Sequence, residues 1–175
     1  EMPDAHVYLD GDVEMLSRKG SFVGQHVCTA MQGVAVHINA FNFPVWGMLE
    51  KLAPTLLAGM PAIIKPATAT GYLAEAAFRM IIDSGLLPTG AVQLVSCGVG
   101  PLLDHLDAQD AVSFTGSADT AMRLRSNMNL QQHAVRFAAE QDSLNASVLG
   151  PDVGIEDPEF DLFIKEVTTE ITAKA

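Results

Sequence analysis

The sequence contains only two cysteines, Cys28 and Cys97, among its 175 residues. Two thiols do not make a disulfide framework, and this usage is typical of a protein in a reducing cytoplasm. Basic residues are also scarce, with 10 Lys and Arg against 21 Asp and Glu and a formal net charge of −11. This acidic balance argues against a nucleic-acid-binding surface, which would be basic.

Long apolar runs are absent as well. No uninterrupted stretch reaches the roughly 18 residues that a membrane span requires, so no membrane segment is expected. Acidic residues such as Asp4 and Asp10 stand where a signal peptide would carry basic ones. The five histidines show no metal-ligand spacing with each other or with the cysteines, which argues against a metal site.

The sequence does contain a regular alternation of short apolar runs and helical repeats. The run 34–38 predicts a buried strand, and Pro44 predicts the start of a helix that Gly59 ends. Continuous apolar strands that alternate with helices indicate an α/β fold with a doubly wound, mainly parallel sheet. Residues 21–29 predict a strand or small β arm before the sheet. Further strands are predicted over 61–65, 91–95, 111–114, 134–139 and 147–149, and a closing helix from residue 159.

Polar residues and glycines follow the ends of the predicted strands. Ligands of open parallel sheets bind outside the carboxyl ends of the strands, so these turns are the candidate site. The turns comprise residues 39–44, 65–68, 98–100 and 115–117, and Glu140 follows the predicted strand that ends at residue 139. The Thr-rich stretch Thr68–Thr70 is expected to cap the helix that follows.

Each turn has an ordinary structural explanation when it is taken alone. Gly98 and Gly100 lack the third glycine of a dinucleotide fingerprint, so turn glycines are the simpler interpretation. Lys65 could be a solvated lysine, or it could hold a phosphate or a ribose hydroxyl. Asn42 could lie at a helix N-cap, or its amide could donate to an oxyanion. Glu140 could be a strand-end carboxylate, or a general base in an apolar pocket.

Taken in order, the turns resemble the aldehyde dehydrogenase superfamily over nearly the whole chain. The similarity is closest to the branch that acts on coenzyme A-linked semialdehydes in aromatic-compound breakdown, including phenylacetate degradation. The matching segments are Asn39–Trp46, Leu52–Gly59, Ile64–Ala67, Phe114–Ser117 and the motif that begins at Glu140.

This resemblance implies NAD(P)-dependent oxidation of a small-molecule aldehyde to an acid through a cysteine thioester. Asn42 would stabilise the oxyanion, and Glu140 would activate the hydrolytic water. Lys65 would contact the adenosine ribose of the cofactor, and Gly116 and Ser117 would lie beside its pyrophosphate. The remaining residues assigned to cofactor binding are Asn39, Phe41, Thr68, Gly98 and Gly100.

The resemblance also implies a division of the chain. Residues 1–12 would be a lead-in, and residues 13–31 a β arm through which such enzymes form homo-oligomers. Residues 32–145 would be the nucleotide-binding α/β domain, and residues 146–175 the truncated start of a catalytic domain.

Two departures from the family pattern matter for function. Thr68 stands where many NAD-specific members have a glutamate, so NADP becomes acceptable as cofactor and is expected to bind more tightly than NAD. The family's nucleophile lies in a Gly-Gln-x-Cys segment after the glutamate, and neither Cys28 nor Cys97 matches it. The 175 residues are therefore expected to be a fragment that binds cofactor without turnover.

Two alternatives remain open from the sequence. The chain could be a non-catalytic nucleotide-binding or assembly module with the same fold. It could instead belong to a coenzyme A-acylating dehydrogenase, which does not need Glu140; the presence of this glutamate argues against that alternative.

Overall fold

The computed structural model describes residues 7–142 and 146–173. The chain divides into two units, Glu1–Gln141 and Asp142–Ala175. The first unit carries a β hairpin and a five-stranded sheet with its helices. In the second unit, the described residues form one helix, α5 (Pro158–Ala173).

The hairpin consists of β1 (Val7–Met15) and β2 (Val23–Thr29), which pair in antiparallel register. Its first strand therefore begins inside the segment interpreted as a lead-in, of which residues 1–6 lie outside the described residues. Apolar side chains along both strands are exposed, including Leu9 and Val27. The hairpin thus has no core of its own within the described residues.

The sheet confirms the predicted α/β architecture. Its strands are β3 (Ala35–Ile38), β4 (Ala62–Lys65), β5 (Val92–Leu94), β6 (Ala111–Gly116) and β7 (Arg136–Gln141). The helices between them are α1 (Pro44–Leu57), α2 (Gly71–Asp83), α3 (Ala118–Arg125) and α4 (Met128–Gln132), with 3₁₀ segments at Thr68–Thr70 and Gly100–His105.

The five strands are all parallel and lie in the order β5-β4-β3-β6-β7. From the central strand β3, the chain adds β4 and then β5 on one side. It then returns to the other side of β3, where it adds β6 and then β7. This reversal creates a crevice at the carboxyl ends of β3 and β6, the position where ligands of doubly wound sheets bind.

Each face of the sheet has its own apolar core. One face packs Val36, Ile38, Val112 and Phe114 against the 3₁₀ segment 100–105, α3 and α4. The other face packs strands β4 and β5 against α1 and α2. Its buried members are Met48, Leu52, Ala62, Ile64 and Val92. Both layers are needed because the strands of a parallel sheet are apolar on both sides.

Two local expectations were wrong, and one short helix was not predicted. Residues 147–149 form no strand, and Val148 is exposed. Helix α4 was not predicted; it is only five residues long, and its N-cap is Asn127, whose side-chain oxygen accepts from the N–H groups of Asn129 and Leu130. The threonines 68–70 form a 3₁₀ segment, and none of their side chains caps α2.

Within the described residues, no helix combines the length and the apolar character that crossing a bilayer requires.

Candidate active site

The register of the sheet brings the predicted turns to one edge. Ile38 of β3 pairs with Lys65 of β4 on one side and with Phe114 of β6 on the other. Phe114 in turn pairs with Ala139 of β7. Four strands therefore end at nearly the same level, and the strands lie about 5 Å apart. The turn that carries Asn42 and the strand end that carries Glu140 consequently share one edge of the sheet.

The loop between β3 and α1 presents Asn42. Its side chain is exposed, and the next residue, Phe43, adopts a left-handed conformation with φ 48° and ψ 51°. Phe43 is the N-cap position of α1 and gives no side-chain cap, so Asn42 is not a capping residue. A left-handed conformation costs a non-glycine residue about 1–2 kcal/mol. Such strain is often found at functional turns.

Neighbouring residues hold this loop in place. The Asn39 N–H donates to the Lys65 carbonyl over 3.0 Å. The Thr70 hydroxyl donates to the Phe41 carbonyl over 2.8 Å, so the threonine that was expected to cap α2 instead links two neighbouring turns. Pro44 fixes the chain where the helix begins.

The two residues of this loop assigned to cofactor binding differ in accessibility. Phe41 is exposed and available to a ligand. Asn39 is 5% exposed, and its amide faces α1 together with His37. A contact between Asn39 and a cofactor would therefore depend on its backbone.

A cleft of about 250 Å³ lies beside the end of β4. We call it the Thr68 cleft; its lining residues are Pro66, Ala67, Thr68, Gly71, Tyr72, Glu75 and Ser96. Thr68 is exposed, and the Lys65 ammonium donates over 2.9 Å to the carbonyl of Pro66, which is one of the lining residues. A hydroxyl and an ammonium at one cleft can bind a sugar hydroxyl or a phosphate.

The glycine turn after β5 is exposed. Gly100 has a positive φ of 50° and begins the 3₁₀ segment, whereas Gly98 has open space where a side chain would lie. Both glycines leave the backbone accessible to a ligand.

The last residue of β6 must be glycine for a packing reason. A Cβ atom on Gly116 would lie 2.6 Å from the ring of Phe114. Ser117 then caps α3, because its Oγ accepts from the Thr120 N–H over 3.3 Å. The backbone at Gly116 and the N-terminus of α3 remain the groups that could approach a pyrophosphate.

Glu140 lies within β7, directly opposite Thr115, whose hydroxyl donates to Glu140 Oε2 over 3.3 Å. A cleft of about 350 Å³ adjoins it. We call it the Glu140 cleft; it is lined by Glu50, Lys51, Ser113, Phe114, Thr115, Ala138, Ala139 and Glu140. Glu140 is exposed, so within the described residues it does not occupy the apolar pocket that was expected.

Lys51 of α1 is a site residue that the sequence reasoning missed. Its side chain is only 9% exposed, and its ammonium donates to Glu50 Oε1 over 3.0 Å and to the Gly47 carbonyl over 3.3 Å. Helical spacing from the buried Met48 was a signal that could have found it, since residues three apart share a helix face. The Glu140 cleft therefore contains a cation that faces toward the sheet.

His37 lies beneath α1 and is 1% exposed. Its Nε2 is 3.0 Å from the Thr55 hydroxyl. Burial, together with the positive charge of Lys51, lowers the pKa of His37 from 6.5 to about 4, so the ring is neutral at physiological pH. Its Nδ1 and both polar side-chain atoms of Asn39 are buried without a hydrogen-bond partner among the described residues.

Comparison with known proteins decides the family. The profile of the aldehyde dehydrogenase family matches residues 10–167. The chain belongs to this family. It is 48% identical over 165 residues to 3,4-dehydroadipyl-CoA semialdehyde dehydrogenase of Aromatoleum evansii. That match covers 94% of this chain but 32% of the relative, so the chain spans about a third of the relative's length.

Solved structures of aldehyde dehydrogenases share the fold. Succinic semialdehyde dehydrogenase from Streptococcus pyogenes, in complex with NADP+, superimposes with a TM-score of 0.64 at 17% identity, covering 82% of this chain and 31% of that one. NADP-dependent glyceraldehyde-3-phosphate dehydrogenase from Bacillus halodurans, complexed with NADP, gives a TM-score of 0.55 at 25% identity. The second match covers 65% of this chain and 24% of the other.

Membership of the aldehyde dehydrogenase family confirms the resemblance drawn from the ordered turns. The sheet accounts for that order, because every matching motif except Leu52–Gly59 ends or follows a strand. Asn42, Lys65, Gly116 and Glu140 all lie at the carboxyl edge, where they end or follow four adjacent strands. Cys28 lies in β2 of the hairpin and Cys97 in the loop after β5.

Proposed function

We propose that the chain is the cofactor-binding portion of an NAD(P)-dependent aldehyde dehydrogenase. The observation that carries this proposal is the placement of Asn42 and Glu140 on either side of β6, at the edge where the strand order reverses. A cysteine from outside residues 1–175 would supply the nucleophile. By itself the chain would bind cofactor and would not turn over.

Asn42 is proposed as an oxyanion donor. When a thiolate attacks an aldehyde carbonyl, negative charge develops on the oxygen. A preorganised amide N–H aimed at that oxygen stabilises the transition state, and removal of one such donor costs about 10²–10³-fold in kcat. The exposed amide and the anchored loop around it are suited to this role.

Glu140 is proposed as the base that hydrolyses the thioester. Its carboxylate would take a proton from water while the water oxygen attacks the thioester carbon. The thiolate then leaves and the carboxylic acid is released. Thr115 orients the carboxylate through the hydrogen bond to Oε2.

The residues at the Thr68 cleft fit an adenosine ribose. Thr68 offers a hydroxyl in the cleft, and Lys65 offers an ammonium that donates to the carbonyl of the lining residue Pro66. When bound, the nicotinamide of the cofactor would supply the acceptor for hydride. Thr68 brings no negative charge against a 2′-phosphate, which supports NADP as the preferred cofactor.

A coenzyme A-linked semialdehyde from aromatic-compound degradation is proposed as the substrate. Support comes from the 48% identity to a relative named for 3,4-dehydroadipyl-CoA semialdehyde.

The hairpin is proposed to bind a second copy of the chain. A two-stranded hairpin is only marginally stable in water when it stands alone. Exposed apolar side chains along both strands therefore favour burial against a partner.

Glu140→Gln tests the proposed mechanism in the polypeptide that includes the thiol. The first turnover should still release a stoichiometric burst of reduced cofactor, because hydride transfer precedes hydrolysis. Steady-state turnover should fall by about 100-fold or more, since the general base is lost. Rapid-mixing absorbance at the reduced nicotinamide band measures both phases.

The matched control is Glu156→Gln, which removes an exposed carboxylate from the second unit. It should leave burst and steady state unchanged. Undiminished steady turnover in Glu140→Gln would reject Glu140 as the hydrolytic base.

A further inference from the structure

The Thr68 cleft contains a carboxylate that the sequence argument overlooked. Glu75 lies on α2, seven residues after Thr68, and lines the same cleft. The other lining residues have uncharged side chains, so Glu75 sets the charge of the lining. The substitution of an acid by Thr68 therefore does not by itself make this cleft free of negative charge.

Arg79 compensates that charge. It lies one helical turn after Glu75, and its Nε donates to Glu75 Oε1 in an ion pair. The Arg79 side chain is 74% exposed and that of Glu75 is 38% exposed. An exposed pair of this kind contributes little to folding stability. Its main effect is on the electrostatic potential at the cleft.

We propose that Glu75 and Arg79 together determine whether the cleft accepts an adenosine 2′-phosphate. This inference rests on the proposed function, which places the adenosine ribose at Lys65 and Thr68. With Arg79 in place, the carboxylate is neutralised and the phosphate meets no net repulsion. Without Arg79, the carboxylate repels the phosphate and favours a ribose with a free 2′-hydroxyl.

The charges involved set the size of the effect. A phosphate monoester carries about −1.5 to −2 charges at pH 7. Repulsion from one carboxylate across a solvated cleft should change the affinity by about fivefold, since effective dielectric constants near a protein surface are high. The effect should weaken as salt is added.

The experiment compares two nucleotides on the 175-residue chain by isothermal titration calorimetry. Adenosine 2′,5′-bisphosphate carries the 2′-phosphate, and 5′-AMP lacks it. The measured quantity is the affinity for adenosine 2′,5′-bisphosphate divided by the affinity for 5′-AMP. Arg79→Met should lower this ratio about fivefold in favour of 5′-AMP, and Arg79→Lys should retain the ratio because the charge is kept.

The double variant separates an indirect role of Arg79 from a direct one. In Glu75→Gln/Arg79→Met both charges are absent, so the ratio should return to within about twofold of the original. A ratio that stays as low as in Arg79→Met would show that Arg79 contacts the phosphate itself, and would overturn the proposed pair. Arg18→Met, which removes one charge from the exposed hairpin turn, is the matched control and should leave the ratio unchanged.

Other outcomes distinguish this inference from the function on which it rests. If the chain binds both nucleotides and Arg79→Met leaves the ratio unchanged, Glu75 and Arg79 have no role in recognising the 2′-phosphate. The proposed cofactor site is not contradicted by that result. If the unaltered chain binds neither nucleotide, the proposed cofactor site is itself wrong. Circular dichroism of each variant verifies that α2 and the rest of the fold are retained.

Discussion

The two faces of the sheet differ in chemistry although they share the same five strands. Toward α3 and α4, the central strands contribute Val36, Ile38, Val112 and Phe114, all of which are buried and apolar. Toward α1, the same strands and their immediate extension contribute His37 and Asn39, and β6 contributes Ser113 and Thr115. Alternation along a strand produces this division, because successive side chains point to opposite faces.

The difference separates the residues that stabilise the fold from the polar residues near the candidate site. The core on the apolar face consists of apolar side chains, and the buried carboxylate of Asp110, just before β6, accepts from the N–H groups of Val34 and Asp107. The α1 face retains a buried imidazole and an amide with no hydrogen-bond partner in the described part of the chain, and His37 pairs in register with Ser113, which lines the Glu140 cleft. Unpaired buried polar groups cost free energy. We therefore expect the apolar face to dominate the free energy of unfolding and the α1 face to control its pH dependence.

Phe114→Ala tests the contribution of the apolar face and should cause the largest change in the free energy of unfolding. The side chain is 4% exposed and packs over Gly116, so its removal leaves a cavity in the apolar face. The free energy of unfolding should fall by about 3–5 kcal/mol, as measured by urea denaturation. The same substitution at the exposed Phe22 of the hairpin turn is the control and should cost much less. Equal losses at both positions would contradict the assignment of stability to this face.

Protonation of His37 at low pH should cause the next largest change in the free energy of unfolding. Its pKa is lowered to about 4 in the folded chain, so the unfolded chain binds this proton more readily. Stability is therefore complete above the unfolded value of 6.5 and decreases as the pH falls toward 4. The loss from this group should approach about 3 kcal/mol, because each pKa unit corresponds to about 1.4 kcal/mol.

His37→Gln checks this pH dependence. The variant should flatten the slope of unfolding free energy between pH 6.5 and 4, even if its stability at neutral pH is lower. His26→Gln, on the exposed hairpin, serves as the matched substitution. An unaltered slope in His37→Gln would show that another group is responsible.

Thr55→Val should have the smallest effect of the three. Valine has nearly the same shape as threonine but leaves His37 Nε2 without its partner at 3.0 Å. The free energy of unfolding should fall by about 1–2 kcal/mol. Thr172→Val, at an exposed position of α5, is the control. A loss no larger than the control would mean that this hydrogen bond contributes nothing net.

Much of the fold was predictable because the spacing of apolar residues in the sequence agrees with the way the strands and helices are buried. The β-branched run 34–38 and the helix beginning at Pro44 match β3 and α1, since each is buried in the way its apolar spacing demands. Residues 147–149 mislead for the opposite reason. Their β-branched residue, Val148, is exposed, so local propensity has no neighbouring strand to support it.

The candidate site was predictable in its order along the chain and less so in its environment. Asn42, Lys65 and Glu140 follow or end strands, and the parallel register then places them at one edge. The contributions of Lys51 and Glu75 depend on how α1 and α2 pack, which no spacing in the turns reveals. The end of the predicted nucleotide-binding segment, residues 143–145, lies outside the described residues.

The left-handed Phe43 has a consequence for the neighbouring amide. The loop is held on both sides of Asn42, by the Thr70 hydroxyl on the Phe41 carbonyl and by the proline ring after Phe43. Backbone conformational entropy at this turn is therefore lost when the chain folds, before any ligand binds. In the proposed oxyanion role, an amide on a turn restrained in advance would have less freedom to lose on meeting a developing negative charge, so folding of the sheet would already have met part of the entropic cost of catalysis.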